Sequence, residues 1–226
     1  MIINEIFYSL QGEGIYAGFP SVFIRLAGCP LRCRWCDTKY AWPDSAGQKY
    51  SVDQLTREIK SHPGRHVVIT GGEPMTNTEL PEFLRSFAED DTHITIETSG
   101  IAFVADLPCD LMSISPKLSN STPTEAAPAA RHDQMRFDLS ALQSLIDNYE
   151  YQLKFVVDSP QDIDEIFECL EGLSGVSRDK VFLMPQAATA DELIEKSRMT
   201  AHLCKKTGFA LSQRLQILLW NNERGR

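Results

Sequence analysis

No stretch of about eighteen or more apolar residues occurs in this chain, so the sequence offers no membrane-spanning helix. The opening residues, Met1-Ile2-Ile3-Asn4-Glu5, lack the basic and apolar regions of a secretory signal, and the expected location is the cytoplasm. Basic residues are in the minority as well: 22 Lys and Arg against 31 Asp and Glu give a net charge of -9. That balance lacks the dense positive field on which non-specific binding to nucleic acid or an anionic membrane depends, and it favours a small-molecule substrate. Local basic clusters such as Arg32, Arg34 and Lys39 still suit a small anion. Coiled-coil heptads and internal repeats are missing, which sets aside zipper and solenoid architectures.

Cysteine is scarce, with six in the chain, yet three crowd into Cys29-Pro30-Leu31-Arg32-Cys33-Arg34-Trp35-Cys36. In a reducing compartment such crowding points to metal binding rather than to disulfides. Thiolates are soft ligands that select iron-sulfur centres, zinc or copper(I). The loop has no fourth ligand: no other Cys lies nearby, and the nearest His is His62. Structural zinc is normally closed by four protein ligands, and an electron-transfer four-iron cluster normally uses four cysteines. A four-iron cube held by Cys29, Cys33 and Cys36 leaves one iron open to a substrate or cofactor, which is a catalytic arrangement. Structural zinc or a chance cluster is the competing reading, disfavoured by the absent ligand. Cys109, Cys169 and Cys204 stand at no ligand spacing and read as buried structural thiols.

Apolar, β-branched runs at 22–24, 66–70, 94–96, 111–114, 153–157 and 181–184 read as short strands buried on both faces. Amphipathic segments alternate with them near 51–61, 78–89, 139–149, 160–171 and 190–206, with Ser51, Thr78, Ser159 and Thr189 as expected N-caps. This alternation predicts one α/β domain over residues 1–226, with a parallel sheet that is either open and doubly wound or part of a barrel. Segment 118–137 has Pro-rich, neutral polar stretches without a clear period, and reads as a mobile loop, either a lid or a plain surface insertion.

Unusual tetrads follow strand after strand: the Cys29 loop, Gly71-Gly72-Glu73-Pro74, Glu97-Thr98-Ser99-Gly100, Ser115-Pro116-Lys117 and Pro185-Gln186. Parallel α/β folds build their active sites at the C-terminal strand ends, so these loops describe one composite site. Gly71 and Gly72 permit close backbone approach, and Glu73 can accept from an ammonium group. Taken alone, Gly71-Gly72-Glu73-Pro74 and Ser115-Pro116-Lys117 could be no more than strand-ending turns. Gly12-x-Gly14 hints at a dinucleotide loop, but Ala17 falls where a third Gly is needed and that reading fails.

The Cys-x3-Cys-x2-Cys spacing, with Trp35 before the third Cys, resembles the signature of the radical S-adenosylmethionine superfamily. More narrowly, Gln11-Gly12-Glu13-Gly14, Phe23-Ile24-Arg25-Leu26-Ala27-Gly28-Cys29, Trp35-Cys36-Asp37-Thr38 and Thr70-Gly71-Gly72-Glu73-Pro74 resemble the 7-carboxy-7-deazaguanine synthase family. So do Glu97-Thr98-Ser99-Gly100, Ile114-Ser115-Pro116-Lys117 and the tail from Leu218 to Gly225, and the match runs nearly end to end.

That resemblance implies a reduced, TIM-like barrel of about six βα units with the site at its C-terminal rim. It implies a four-iron cluster on Cys29, Cys33 and Cys36, S-adenosylmethionine, and Mg2+ on Thr38. The implied reaction converts 6-carboxy-5,6,7,8-tetrahydropterin to 7-carboxy-7-deazaguanine with loss of ammonia. By the same resemblance Leu10, Gln11, Gly12, Glu13, Arg25 and Thr70 meet the pterin. The cofactor would be met by Trp35, Cys36, Asp37, Gly72, Glu73, Ser115, Pro116, Lys117 and Gln186. A homodimer and an electron donor such as flavodoxin or ferredoxin are implied too. The chemistry agrees, since Arg offers a fork to a carboxylate and Glu can accept from an aminopyrimidine edge. Two departures stand out: Gln216 replaces a frequent His, and Asn221-Asn222 replaces Gly-Asn, so the C-terminal segment receives no site residue. Two other classes compete: an activase that installs a glycyl radical on a partner protein, and a non-catalytic electron carrier.

Overall fold

A computed structural model of the chain describes residues 1–86, 91–221 and 223–226. Alternation within its strands gives the sheet two unlike faces. In the strand Tyr151–Val157, the residues Tyr151, Leu153, Phe155 and Val157 join the main apolar core, while Gln152, Lys154 and Val156 take the opposite face. The same division runs through Pro20–Leu26, where Val22, Ile24 and Leu26 are core and Ser21, Phe23 and Arg25 face the other way. In His66–Gly71, Val67 and Ile69 are core and His66, Val68 and Thr70 lie opposite. The runs are buried on both faces as expected, but the polar and charged positions gather on one face, beside Phe23, Val68 and Val156. Each fully buried Leu, Ile or Phe on the core face stabilises the fold by roughly 1.5–3 kcal/mol.

Nine strands among the described residues form one open sheet: β1 (Ile2–Leu10), β2 (Pro20–Leu26), β3 (Gln48–Lys49), β4 (His66–Gly71), β5 (His93–Thr98), β6 (Leu111–Ile114), β7 (Tyr151–Val157), β8 (Val181–Pro185) and β9 (Ala210–Leu211). Their order is β3-β1-β2-β4-β5-β6-β7-β8-β9. From β2 to β9 every neighbouring pair is parallel, and only β1 runs antiparallel to its neighbours β2 and β3. The sheet does not close, so the partial barrel expected from the sequence is present. It is preceded by an antiparallel hairpin that a plain βα repeat does not contain. β1 escaped the strand count because Asn4, Glu5 and Ser9 break its apolar run.

The helices are α1 (Val52–Lys60), α2 (Leu80–Arg85), α3 (Ala126–Met135), α4 (Leu139–Asn148), α5 (Asp162–Glu171), α6 (Ala190–Thr207) and α7 (Leu215–Trp220). Ser51 and Thr189 cap α1 and α6 with reciprocal bonds to Gln54 and Glu192, as their sequences predict. Thr78 and Ser159 are not caps: α2 begins after Glu79 and α5 after Gln161. The expected helix over 78–89 is shorter, and its positions 87–89 lie outside the described residues.

Segment 118–137 is not a bare loop. It holds a single 3-10 turn at Ser119–Ser121 and the helix α3, with Pro128 tolerated in the first turn. The helix shows no amphipathic period because a single residue, His132, is buried from it. Arg136 ties its end to the Lys117 carbonyl at 2.7 Å and to Glu165 at 2.9 Å. No described helix is long and apolar enough to cross a membrane.

Candidate active site

The loops at the C-terminal ends of the parallel strands enclose one cavity of about 240 Å³. Cys29, Cys33, Trp35, Cys36, Asp37 and Thr38 line it from one side, and Gly72, Glu73, Ser115 and Lys117 continue the wall. Leu10, Gln11, Gly12, Glu13, Arg25 and Thr70 complete the opposite side. Pro116 and Gln186 are not part of the lining. Pro116 is buried beneath its loop, and the Gln186 side chain accepts from Lys196 at 3.0 Å.

The cysteine loop is fixed by its backbone. Gly28 N donates to the Ala41 carbonyl at 2.9 Å and Cys29 N to the Trp42 carbonyl at 3.1 Å. From below, Arg34 N donates to the Ser121 carbonyl at 2.8 Å, and Arg32 N to His132 Nδ1 at 3.2 Å. His132 Nε2 meets Ser121 Oγ at 2.9 Å, so the helix once expected as a loop buttresses the cysteines. Trp35 is held by its indole N–H on the Asn120 carbonyl at 3.1 Å, with the Lys117 ammonium 5.6 Å from its ring centre.

All three thiols are free of disulfide bonds. Burial and the neighbouring Glu73 charge push Cys29 up to about 12, and burial pushes Cys33 to about 11. Bound iron would supply the positive charge that favours their thiolate forms. Among the described residues no three His, Cys, Asp or Glu side chains converge as a single ion's ligand shell. Cys29, Cys33 and Cys36 all line the same cavity. A polynuclear cluster fits that arrangement, because each thiolate binds a different iron.

Gly71 and Gly72 line the cavity and also allow the start of the cysteine loop to pack close. A Cβ on Gly72 would lie 1.6 Å from the Gly28 carbonyl oxygen, and Gly71 has a φ of 119° with its own Cβ position 2.3 Å from Leu26 N. The strand end can therefore lie against the start of the cysteine loop only without side chains. Glu73 is 2 % exposed. Its carboxylate accepts from Met75 N at 3.1 Å, Thr98 Oγ1 at 2.5 Å, Ser99 N at 2.8 Å and Ser99 Oγ. These four donors fill its acceptor sites, so Glu73 joins β4 to the end of β5.

At the other end, Glu13 and Glu97 stand on either side of Lys154. Lys154 Nζ donates to Glu13 Oε2 at 2.8 Å and lies 3.7 Å from Glu97 Oε1. Gln216 donates to Glu13 Oε1 at 2.8 Å, and Arg214 Nε is 3.5 Å from the same oxygen. Glu97 accepts from Gln11 at 3.1 Å and from Thr70 at 2.8 Å. Burial opposes the charge on Glu13, but Lys154 and Arg214 hold it down at about 2. Burial likewise lowers Lys154, and the Glu13 and Glu97 charges outweigh it and raise the ammonium above its ordinary value. Arg25 donates through Nε to Glu5 at 2.6 Å and stands 5.7 Å over the Phe7 ring, which is stacked on Phe23 at 4.8 Å.

Sequence reasoning missed Lys154, Arg214 and Gln216 as site residues, and recognised Glu97 only as a strand-ending tetrad. All four line the cavity. Lys154 was visible as a lone charge inside an apolar strand. Arg214 carries no motif, and Gln216 was noted only as replacing a frequent family His and was therefore given no role. Cys169 is buried as expected, while Cys109 and Cys204 are half-buried against the core.

An open parallel sheet with a three-cysteine loop after β2 defines a radical S-adenosylmethionine enzyme, and the model of the Radical SAM superfamily matches residues 23–136. A 7-carboxy-7-deazaguanine synthase of Halobacterium salinarum is 42% identical over 97% of this chain and 90% of its own length. One from Rhodopirellula baltica is 36% identical over 100% of this chain and 88% of its own. The crystal structure of QueE from Escherichia coli superposes with a TM-score of 0.72 at 28% identity, covering 93% of this chain and 92% of that one. The chain belongs to the family of the 7-carboxy-7-deazaguanine synthases. Membership of the superfamily carries with it a four-iron cluster and S-adenosylmethionine.

Proposed function

We propose that this enzyme converts 6-carboxy-5,6,7,8-tetrahydropterin to 7-carboxy-7-deazaguanine, contracting the ring with loss of ammonia. The observation that carries the reading is the single cavity shared by the three cysteines and the Glu13, Glu97 and Arg25 cluster. Its relatives' shared name supports it.

Cys29, Cys33 and Cys36 would hold the cluster and leave one iron for the methionyl group of S-adenosylmethionine. When bound, these groups supply the radical that starts the rearrangement. The chain's own residues do the rest. Trp35 packs beside the adenine, and Ser115 and Lys117 face the same region of the cavity. Glu13 and Glu97 accept from the aminopyrimidine edge, and Arg25 turns its guanidinium to the ligand carboxylate. Leu31 and the Phe7–Phe23 stack exclude water from the reacting ring.

Thr38, whose Oγ1 lies 3.5 Å from Cys36 Sγ, would offer a hard oxygen to Mg2+, which keeps its other positions for water and substrate. The working enzyme would be a cytoplasmic homodimer reduced by a flavodoxin or ferredoxin. Anaerobic reconstitution with iron and sulfide, followed by mass spectrometry of the product from the tetrahydropterin, tests the reading. Formation of the deazaguanine supports it. Cofactor cleavage without that product points to an activase, and neither points to an electron carrier. A Cys33→Ala variant should retain no activity.

A further inference from the structure

An ammonium group 2 % exposed in the middle of a strand is expensive to desolvate and persists only where its surroundings return the loss. Lys154 is such a group. It sits on β7, on the polar face between Gln152 and Val156, and its neighbours come from three other parts of the chain. Glu13 follows β1, Glu97 ends β5, and Arg214 precedes α7. These three are the charged groups that face it. The remaining polar contacts of the two carboxylates are Gln216, Gln11 and Thr70.

A carboxylate has about four lone-pair sites. Glu13 commits one to Lys154 and one to Gln216, and Glu97 commits one to Gln11 and one to Thr70. Each therefore keeps about half its acceptor capacity, and both line the cavity. Without Lys154, burial would favour a proton on Glu13, and a protonated carboxyl donates where the ligand needs an acceptor.

We infer that Lys154 is the positioning residue of the substrate pocket, holding Glu13 and Glu97 as a paired acceptor for adjacent N–H donors such as an aminopyrimidinone edge. The inference rests on the proposed pterin reading and deepens it. Lys154 acts through the two carboxylates and not through the carboxylate of the ligand, which is left to Arg25.

Binding of fluorescent 6-carboxypterin and of unsubstituted pterin to the reconstituted protein tests this without turnover. In the wild type both should bind, with affinity flat from pH 8 to about 5.5 because Lys154 and Arg214 keep Glu13 ionised. Lys154→Met should weaken both ligands by a similar factor, about 100-fold, as when one partner of a buried charge pair is removed. It should also give affinity an acid limb, because burial without the Lys154 charge raises Glu13. Lys154→Arg keeps the charge and should recover at least a tenth of the lost affinity at every pH. Lys154→Met/Glu13→Gln removes a charge from each side, so it should fold like the wild type by near-ultraviolet circular dichroism and still bind weakly.

Loss confined to 6-carboxypterin would overturn the inference, since Lys154 would then be touching the ligand carboxylate. Unchanged affinity and a flat pH profile in Lys154→Met would overturn it as well. Wild-type protein that binds neither pterin would instead overturn the pterin reading, a separate and distinguishable result.

Discussion

Arg214 Nη2 lies 2.9 Å from Asp37 Oδ2, so the segment before α7 is tied to the residue after the third cysteine of the loop. The same guanidinium reaches Glu13 at 3.5 Å and the Ala187 carbonyl at 2.6 Å. One side chain thus couples the cluster side of the cavity to its substrate side. Arg214→Met should lower kcat/KM by about 10- to 100-fold, as expected for loss of a largely buried ion pair, while leaving iron content at the wild-type level. Iron analysis beside steady-state kinetics checks both halves.

Gly72→Ala should be far more severe than a glycine replacement on an open turn. Its Cβ would overlap the Gly28 carbonyl, and neither backbone can yield without moving the cysteine loop. A loss of about 3 kcal/mol in stability is expected, together with incomplete cluster loading. Thermal unfolding and the iron-to-sulfide ratio after reconstitution provide the readout.

His132→Ala should act at a distance through the same loop. The imidazole accepts from Arg32 N and meets Ser121 Oγ, and its removal leaves the part-buried Arg32 N–H without that acceptor and the buried Ser121 hydroxyl with only the Leu118 carbonyl. About 2 kcal/mol of stability should be lost, with weakened iron retention under dilution. Urea denaturation and chelator challenge would register the two effects. Retention equal to the wild type would show that α3 merely covers the surface.

Acid sensitivity should begin above the carboxylate range. His66 bridges Ser21 Oγ and Thr95 Oγ1, each at 2.8 Å, and burial with the nearby His93 lowers its pKa from 6.5 to about 4. Below pH 6.5 the unfolded chain takes up a proton that folded His66 refuses, so stability falls as pH drops toward 4. His132, also lowered by burial, adds in the same direction. His66→Gln should flatten part of the slope between pH 6.5 and 4.5, measured by urea unfolding at several pH values.

The strands β2 and β4 to β8 were readable because they carry apolar, often β-branched runs, and the site's rim was readable because glycines and cysteines interrupt those runs at their C-terminal ends. The polar half of the pocket was less legible. Lys154 and Gln152 are hidden in a stretch that reads as uniformly buried, since a strand pattern marks burial but not what lies on each side. Arg214 and Gln216 depend on where the last helix returns, a tertiary relation without a local signal. Helix α3 was invisible for the opposite reason: with one buried residue, it leaves no periodic trace. Gln186, implied by the family resemblance, accepts from Lys196 through its side chain.

The two-faced strands make pocket assembly and strand alignment one requirement. Arg25 pairs across from Thr70, and Ser21 from His66, on the same two strands. A slip of β4 by one position would turn Val67, Ile69 and Gly71 toward the cavity and drive His66 and Thr70 into the helix layer. Misthreaded chains would therefore lose both their apolar seal and their ligand contacts together. Folding fidelity in this enzyme can be followed simply by titrating the correctly built binding sites.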